Sequence, residues 1–304
     1  MAGSNFNHGF SGGLVVQNLP VQPLVNPYNK VYWVDANAAQ NSDGSYKKPF
    51  GAIADALSVA ITGDVIYVAA GHTESLSGAT IFAMSTEGVT VIGLGEGQRV
   101  PTFTTTATDG AVMVTAANCT LKNLKFVAGI DNTVQAIDLS AAADGARISG
   151  CVFRDTAADQ EFLKHIDIAT TIADVIIEDC DFSCVAGGGM TSSIFFTGTS
   201  SDVVIRNNVF YVDCSASVID HLADIPTNIL IHDNRIVNLD DTGTLGLGLK
   251  SDGAGTGQVF DNYVWCNEAA SAIFAVTNDF FVCENYCANN INASGVLNPA
   301  ADTI

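Results

Sequence analysis

The sequence predicts an all-β solenoid built from short parallel coils, and three observations carry that prediction. Seven-residue cousins recur at a nearly constant interval: SGCVFRD at 149–155, EDCDFSC at 178–184, RNNVFYV at 206–212 and HDNRIVN at 232–238. Each follows or contains an apolar lead residue, and the leads Leu121, Ile148, Ile177, Ile205, Ile231, Val259 and Val282 stand 27, 29, 28, 26, 28 and 23 residues apart. A second ladder lies between the rungs of the first: VMVTA at 112–116, AIDLS at 136–140, HIDIA at 165–169, SIFFT at 193–197, VIDHL at 218–222, LGLKS at 247–251 and AIFAV at 272–276.

Apolar and outward residues alternate within these segments, while Gly, Asn, Asp and Ser separate them, so they read as strands and turns with no helical period. A unit this short cannot bury its own apolar face and must stack on the next copy. Stacking at ~4.8 Å per coil, about eight coils give a rod of roughly 40 Å. The third residue after each lead forms a column: Leu124, Cys151, Cys180, Asn208, Asn234, Asn262 and Asn285. Stacked asparagines can hydrogen-bond amide to amide along the axis while serving a tight turn, and Cys is a smaller plug at the same place. Two positions on, Phe126, Phe153, Phe182 and Phe210 are expected to stack, relayed by Ile236 and Val264.

The chain divides by texture. Residues 1–30 are an extended arm, rich in Gly and Ser at first and then carrying Pro20, Pro23 and Pro27, which forbid a helix. Its apolar residues Phe10, Leu14, Val15, Val16, Leu19, Val21, Leu24 and Val25 are the partner-binding candidates. They are too many for a solvated linker, so the arm is expected to order against another subunit or protein. The alternative is an arm folded back along its own coils. Residues 31–88 form a cap and first coil, in which Phe50, Ile53, Leu57 and Ile61 recur at helical spacing, and residues 89–304 form the coils. The helix would cover the open first coil, an otherwise exposed sheet edge.

Composition narrows the function classes. At 48% hydrophobic and 14% charged residues, the chain of 304 can bury a sizeable core. Its apolar runs fall short of the ~20 residues that span a bilayer, so no membrane helix is expected. A net charge of −20 repels a phosphate backbone and argues against nucleic acid. The start, MAGSNFNHGF, lacks the basic and apolar regions of a secretory signal, which implies a cytosolic chain until something releases it. In that reducing compartment the eight cysteines are expected to be mostly buried thiols. Cys180/Cys184 and Cys283/Cys287 are spaced by four without a His pair, which is not a zinc pattern, and no metal or other cofactor is implied.

The repeat region resembles a right-handed parallel β-helix of the pectate-lyase-like kind, a group that holds polysaccharide lyases, glycosidases and many bacteriophage spike and decoration proteins. The entrance VYWVDANAAQNSDGSYKKPFGAIADALSVAITGDVIYVAAGHTE at 31–74 is similar to the start of many such proteins. Arm and entrance together, over roughly residues 9–160, resemble phage-encoded β-helix proteins of the virion. That resemblance implies a non-enzymatic virion structural protein, most simply a capsid decoration or cement protein. It would be assembled in the host cytoplasm, docked on the major capsid protein or another virion protein, and homotrimeric.

The runner-up is a tailspike or other β-helix protein that binds or depolymerises carbohydrate; a bacterial adhesin ranks third, for want of a signal. Lyases of this fold pair a Ca²⁺-binding carboxylate cluster with a basic residue. Here Arg99, Arg147, Arg154, Lys164, Arg206, Arg235 and Lys250 do not stack beside an acidic trio. The glycosidases carry N-T-D, D-D, G-H-G and R-I-K elements. Of these only Asp240-Asp241 is present, and His8-Gly9 lies in the arm.

The residual constellation is Asp138 and Asp167 at equivalent positions, with Asp220 further along and His165 and His221 near in sequence. Alternation turns the aspartates outward, stacked at ~5 Å, where they would share a proton or hold a cation, or else simply form a solvated face beside Lys164. Phe195 interrupts their column. His72 and Glu74 are expected to serve turn hydrogen bonds, and Trp33 and Trp265 alone are weak evidence for sugar stacking. No catalytic residue is assigned.

Overall fold

Alternating apolar residues close together into three parallel sheets wrapped around one core. The computed structural model describes residues 14–16, 19–21, 29–39, 41–169, 171–221, 226–240, 247–251, 255–267, 274–276, 280–289 and 294–297. The first sheet has ten strands, from Val31–Val34 to Phe280–Cys283, and the third has eight, from Phe82–Met84 to Phe274–Val276. The second has nine parallel strands, from Thr73–Leu76 to Asn285–Asn289, and Ser294–Leu297 added antiparallel at its end makes ten. Each coil passes through the sheets in turn.

The in-register columns are those expected. Leu121, Ile148, Ile177, Ile205, Ile231, Val259 and Val282 pair rung to rung in the first sheet. Val112, Ile137, Ile166, Ile194, Ile219, Leu249 and Phe274 do so in the third. Phe126, Phe153, Phe182 and Phe210 stack with ring centroids 5.4, 4.6 and 4.6 Å apart, and Ile236 and Val264 continue the column. Phe103 extends it one rung downward beyond the sequence expectation, at 6.1 Å, and Phe82 of the third sheet packs against Phe103 at 5.0 Å.

Between the first and second sheets the chain turns through a single left-handed residue: Asn123, Gly150, Asp179, Asn207, Asp233, Asp261 or Glu284, all with φ between 52° and 61°. Asn and Asp tolerate this conformation because their short polar side chains bond locally, and at Gly150 there is no Cβ to resist it. The next residue points inward and is the plug column. Oδ1 of Asn208, Asn234, Asn262 and Asn285 accepts the backbone N–H of the plug one coil below, at 2.9, 3.0, 3.0 and 3.1 Å. Nδ2 of Asn208, Asn234 and Asn262 donates to Oδ1 of the asparagine above at 3.1, 3.0 and 2.9 Å, and the amides also bond carbonyls such as those of Ile205 and His232. Cys180 and Cys151 do more than fill the space, since their thiols point at the carbonyls of Glu178 and Ser149, the place an Asn amide takes higher up.

The cap helix is Ile53–Val59, shorter than the spacing suggested. Ile53 and Ala56 are buried and Leu57 packs on the core, but Ile61 is 53% exposed, which corrects its assignment to the helical face. The helix stops because Ala60 is extended (φ −67°, ψ 140°), and Ala60 takes the buried position that Ile61 was expected to hold. Phe50 reaches the core from a bridge to Val34 instead of from the helix. His72 and Glu74 serve local bonds as expected: Glu74 Oε2 accepts the Ile53 N–H at 2.9 Å and lies 3.0 Å from His72 Nε2. In the arm, Leu14–Val16 pairs antiparallel with Leu19–Val21, and this pair is a separate sheet. Phe10, Leu24 and Val25 lie outside the described residues.

Replacing Asn234 with Leu keeps the branched shape but leaves the Asn208 N–H and amide and two carbonyls without their partners. At ~1–3 kcal/mol per stranded buried group, the variant is expected to lose at least about 3 kcal/mol in urea unfolding, whereas Asn234→Cys, the plug of lower coils, loses less. Equal losses for the two variants would refute the ladder's role.

Candidate functional site

The outward face of the third sheet carries the aspartates singled out by sequence. Asp138 in Ile137–Leu139 and Asp167 in Lys164–Ile168 are direct neighbours across parallel strands, between the inward pairs Ile137/Leu139 and Ile166/Ile168. Both are engaged. Asp138 Oδ2 accepts Gln135 Nε2 at 3.0 Å; Asp167 Oδ2 accepts Lys164 Nζ at 2.7 Å, and its Oδ1 accepts Thr197 Oγ1 at 2.6 Å. Burial, and then the neighbouring Asp167, push the Asp138 pKa up, against Gln135 and Lys164. Lys164 Nζ also sits 4.1 Å from the centre of the Phe195 ring, which closes the column above Asp167.

Asp220 lies one rung beyond Phe195 and is fully buried, with Ser192 Oγ 3.4 Å from its Oδ2. It therefore does not extend an open acidic groove. His165 is brought to the core instead of the aspartates: pairing passes from Lys164↔Ser192 to Ile166↔Ile194, and the skipped residue turns inward. Its ring packs among Phe153, Phe162 and Phe182, with Nδ1 2.8 Å from Ser193 Oγ. Burial, helped by Arg154, drives its pKa down to about 3, so it is neutral. The side chains of His221 and Lys250 lie outside the described residues.

Basic residues meet carboxylates singly. Glu178 is held between Arg147 one coil below and Arg206 one coil above, with Arg147 Nε at 2.8 Å and Arg206 Nη2 at 2.6 Å. Burial works to raise the Glu178 pKa, but the hydrogen bonds from Arg206 and Arg147 outweigh it and hold the carboxyl below its usual value. Arg154 pairs with Asp181 at 2.6 Å. Trp33 lies among Tyr46 and Tyr67, at 4.9 and 5.0 Å, beside the cap. Among the described residues no group of three or more His, Cys, Asp or Glu is arranged to hold a metal ion.

Sequence reasoning missed a second carboxyl cluster, in the loops that join the second sheet to the third. Asp155 and Glu161 end the segment DTAADQE, which an Ala157↔Gln160 bridge pinches into a small hairpin. Asp155 Oδ1 accepts the Phe162 N–H at 3.2 Å, while Asp155 Oδ2 and Glu161 Oε2 are buried without a hydrogen bond. Burial raises the Asp155 pKa to about 7, with Glu161 adding to it and the Phe162 amide opposing; burial and then Asp131 raise that of Glu161. Cys184 is nearby, its thiol pushed up to about 12 by burial and then by Asp155. The only signal in the sequence was acidic residues at both ends of one loop, and no repeat marked it.

A family model described as "Protein of unknown function (DUF1565)" matches residues 36–290. Among solved structures, the chain is similar to one described as pectate lyase Pel9A, at 11% identity and TM-score 0.55 over 86% of this chain and 77% of that one. It is also similar to pectin methylesterase PemA from Erwinia chrysanthemi, at 11% identity and TM-score 0.45 over 87% and 90%. The first likeness shows the fold, a pectate-lyase-like right-handed parallel β-helix. No curated protein matches the chain.

A carboxyl whose folded pKa stands above its unfolded value keeps a proton that the unfolded chain has released. For Asp155, from 3.8 to about 7, the folded state binds more protons across that window, so its contribution to stability falls as pH rises through it. Asp155→Asn keeps an acceptor for the Phe162 amide and removes the titration. It is expected to exceed the parent above pH 7 by up to roughly 4 kcal/mol and to match it more closely near pH 4, by urea unfolding at both pH values. A difference independent of pH would refute the assignment.

Proposed function

We propose, for a chain that belongs to the DUF1565 family, a non-enzymatic structural role: a bacteriophage virion protein that decorates or cements the capsid. It docks on neighbouring subunits through the arm of residues 1–30, assembles as a homotrimer and stabilises the particle. Its partner is the major capsid protein or another virion protein. The observation that carries this reading is the arm's pairing. Leu14–Val16 and Leu19–Val21, almost wholly apolar in sequence, pair with each other and add to none of the coil sheets. Two strands alone are marginal in water, so this segment calls for a surface to cover it. The outer face of the coils supports the same reading, because Asp138, Asp167 and Glu178 are each already bonded to a neighbouring side chain.

The raised pKa of Asp138 beside Asp167 favours one rival, a protein that cleaves acidic polysaccharide. Two measurements decide. Deleting residues 1–28 is expected to abolish both oligomerisation and co-sedimentation with the phage particle, and survival of both would sink the docking role. Assays for reducing ends and unsaturated products on acidic polysaccharides are expected to stay flat. Sustained turnover that Asp138→Ala or Asp167→Ala abolishes would establish the rival.

A further inference from the structure

The first sheet turns an apolar strip outward at its upper rungs. Ile176, Val204 and Leu230 follow one another on adjacent strands, and with Phe260 they line a shallow groove of about 510 Å³. Asp174, Asp202 and Asn228 form one rim, where Asn228 Nδ2 bonds Asp202 Oδ1 at 2.6 Å. Beside the strip stands the Arg147–Glu178–Arg206 clamp, and the Phe260 ring lies flat against His232 at 4.9 Å. Lower in the same column are Thr90, Thr120 and Arg147, so the apolar strip is local and not a property of the whole sheet.

We infer that this groove receives the hairpin of residues 14–21 from a second copy of the chain. The inference rests on the docking reading above and names the receptor of the arm. Charge selects the arm: all 32 Asp and Glu of the chain lie at or beyond Asp35, so the arm enters the field of another acidic body without carboxylate repulsion. Chemistry matches it, since the paired strands are apolar in sequence and the groove offers Ile176, Val204, Leu230 and Phe260, with Gln258 ending the column and a polar rim on one side.

Reach favours a neighbour over the arm's own coil. The arm joins the coil at Val31, on the first rung of this same sheet, and the groove spans the fifth to eighth rungs above it. That is ~24–38 Å away, while the ten residues from Val21 to Val31 extend to at most about 33–36 Å. A chain's own hairpin reaches the middle of its strip only when pulled straight; a neighbour's hairpin has no such tether. Each copy then gives one arm and offers one groove, a head-to-tail joint that closes into a ring if the rotation allows.

Sedimentation velocity on full-length variants tests the joint. Val15→Asp spoils the arm, and Leu230→Arg spoils the groove with a residue that Arg147 already places in that column. The wild-type chain is expected to assemble with rising concentration. Each variant alone is expected to stay monomeric with the parent's circular dichroism and unfolding midpoint, and an equal mixture of the two to form a heterodimer and nothing larger. A monomeric wild type, variants that still self-associate, or a mixture that does not pair would overturn the inference. Particle co-sedimentation separates this from the broader reading. If the mixture fails to pair while Val15→Asp still costs particle binding, the groove is wrong and the docking arm stands; if Val15→Asp leaves particle binding intact, the docking arm fails.

Discussion

From Asn123 upward, each coil passes from the first sheet to the second through one left-handed residue, and the amides inside that corner are sealed from water. A buried backbone donor without an acceptor costs on the order of 1–3 kcal/mol, repeated at each rung. The asparagine column meets this demand with one side chain per coil, whose carbonyl takes the N–H below and whose amide reaches its neighbour's oxygen above. The bond pattern works only if equivalent residues sit directly over one another. A slip of one residue would break the ladder in the upper coils or the phenylalanine stack in the lower ones, and would turn the strand's apolar residues to solvent. Register in this protein is therefore held by an aromatic column in the lower coils and a polar one in the upper coils, which meet at Asn208 and Phe210.

The same corners shape the surface. A left-handed residue that is not glycine is best served by Asn or Asp, and Asp174, Asp179, Asp202, Asp233, Asp261 and Glu284 all have positive φ. Part of the chain's acidity is thus a by-product of turning tightly into and out of the first sheet, laid out in rows along its edges. The few basic residues near those rows are taken up locally, as Arg147 and Arg206 are by Glu178 and Arg154 is by Asp181. The first 34 residues carry no carboxylate, so all of this acidity belongs to the cap and coils.

What repeats was legible in the sequence, and what occurs once was not. The lead residues, the asparagine plugs, the phenylalanine column and the outward Asp138–Asp167 pair could be read because seven coils state the same rule. Ile61 misled because helical spacing says nothing about where a helix stops, and Ala60 leaves the helix by its backbone angles. The sequence places His165 only as near to Asp167 along the chain, and the structure turns it into the core. Asp155 and Glu161 lie in loops between the second and third sheets whose lengths vary from coil to coil, so no column exposes them. Their meeting is a tertiary fact.

Perturbed carboxyls usually draw attention as candidate acids, and this chain has them, but access separates a poised proton from a trapped one. Asp155 holds its proton because burial disfavours the charged form and Glu161 adds to that, against the Phe162 amide, while its second oxygen is sealed within the loop. A general acid has to bring that proton within hydrogen-bond reach of a substrate, and geometry takes precedence over pKa. Asp138 is more open, yet Gln135 is bonded to it and the column above is closed by Lys164 over Phe195. In both places the raised pKa follows from packing an acidic chain into closely stacked coils, with burial its largest cause.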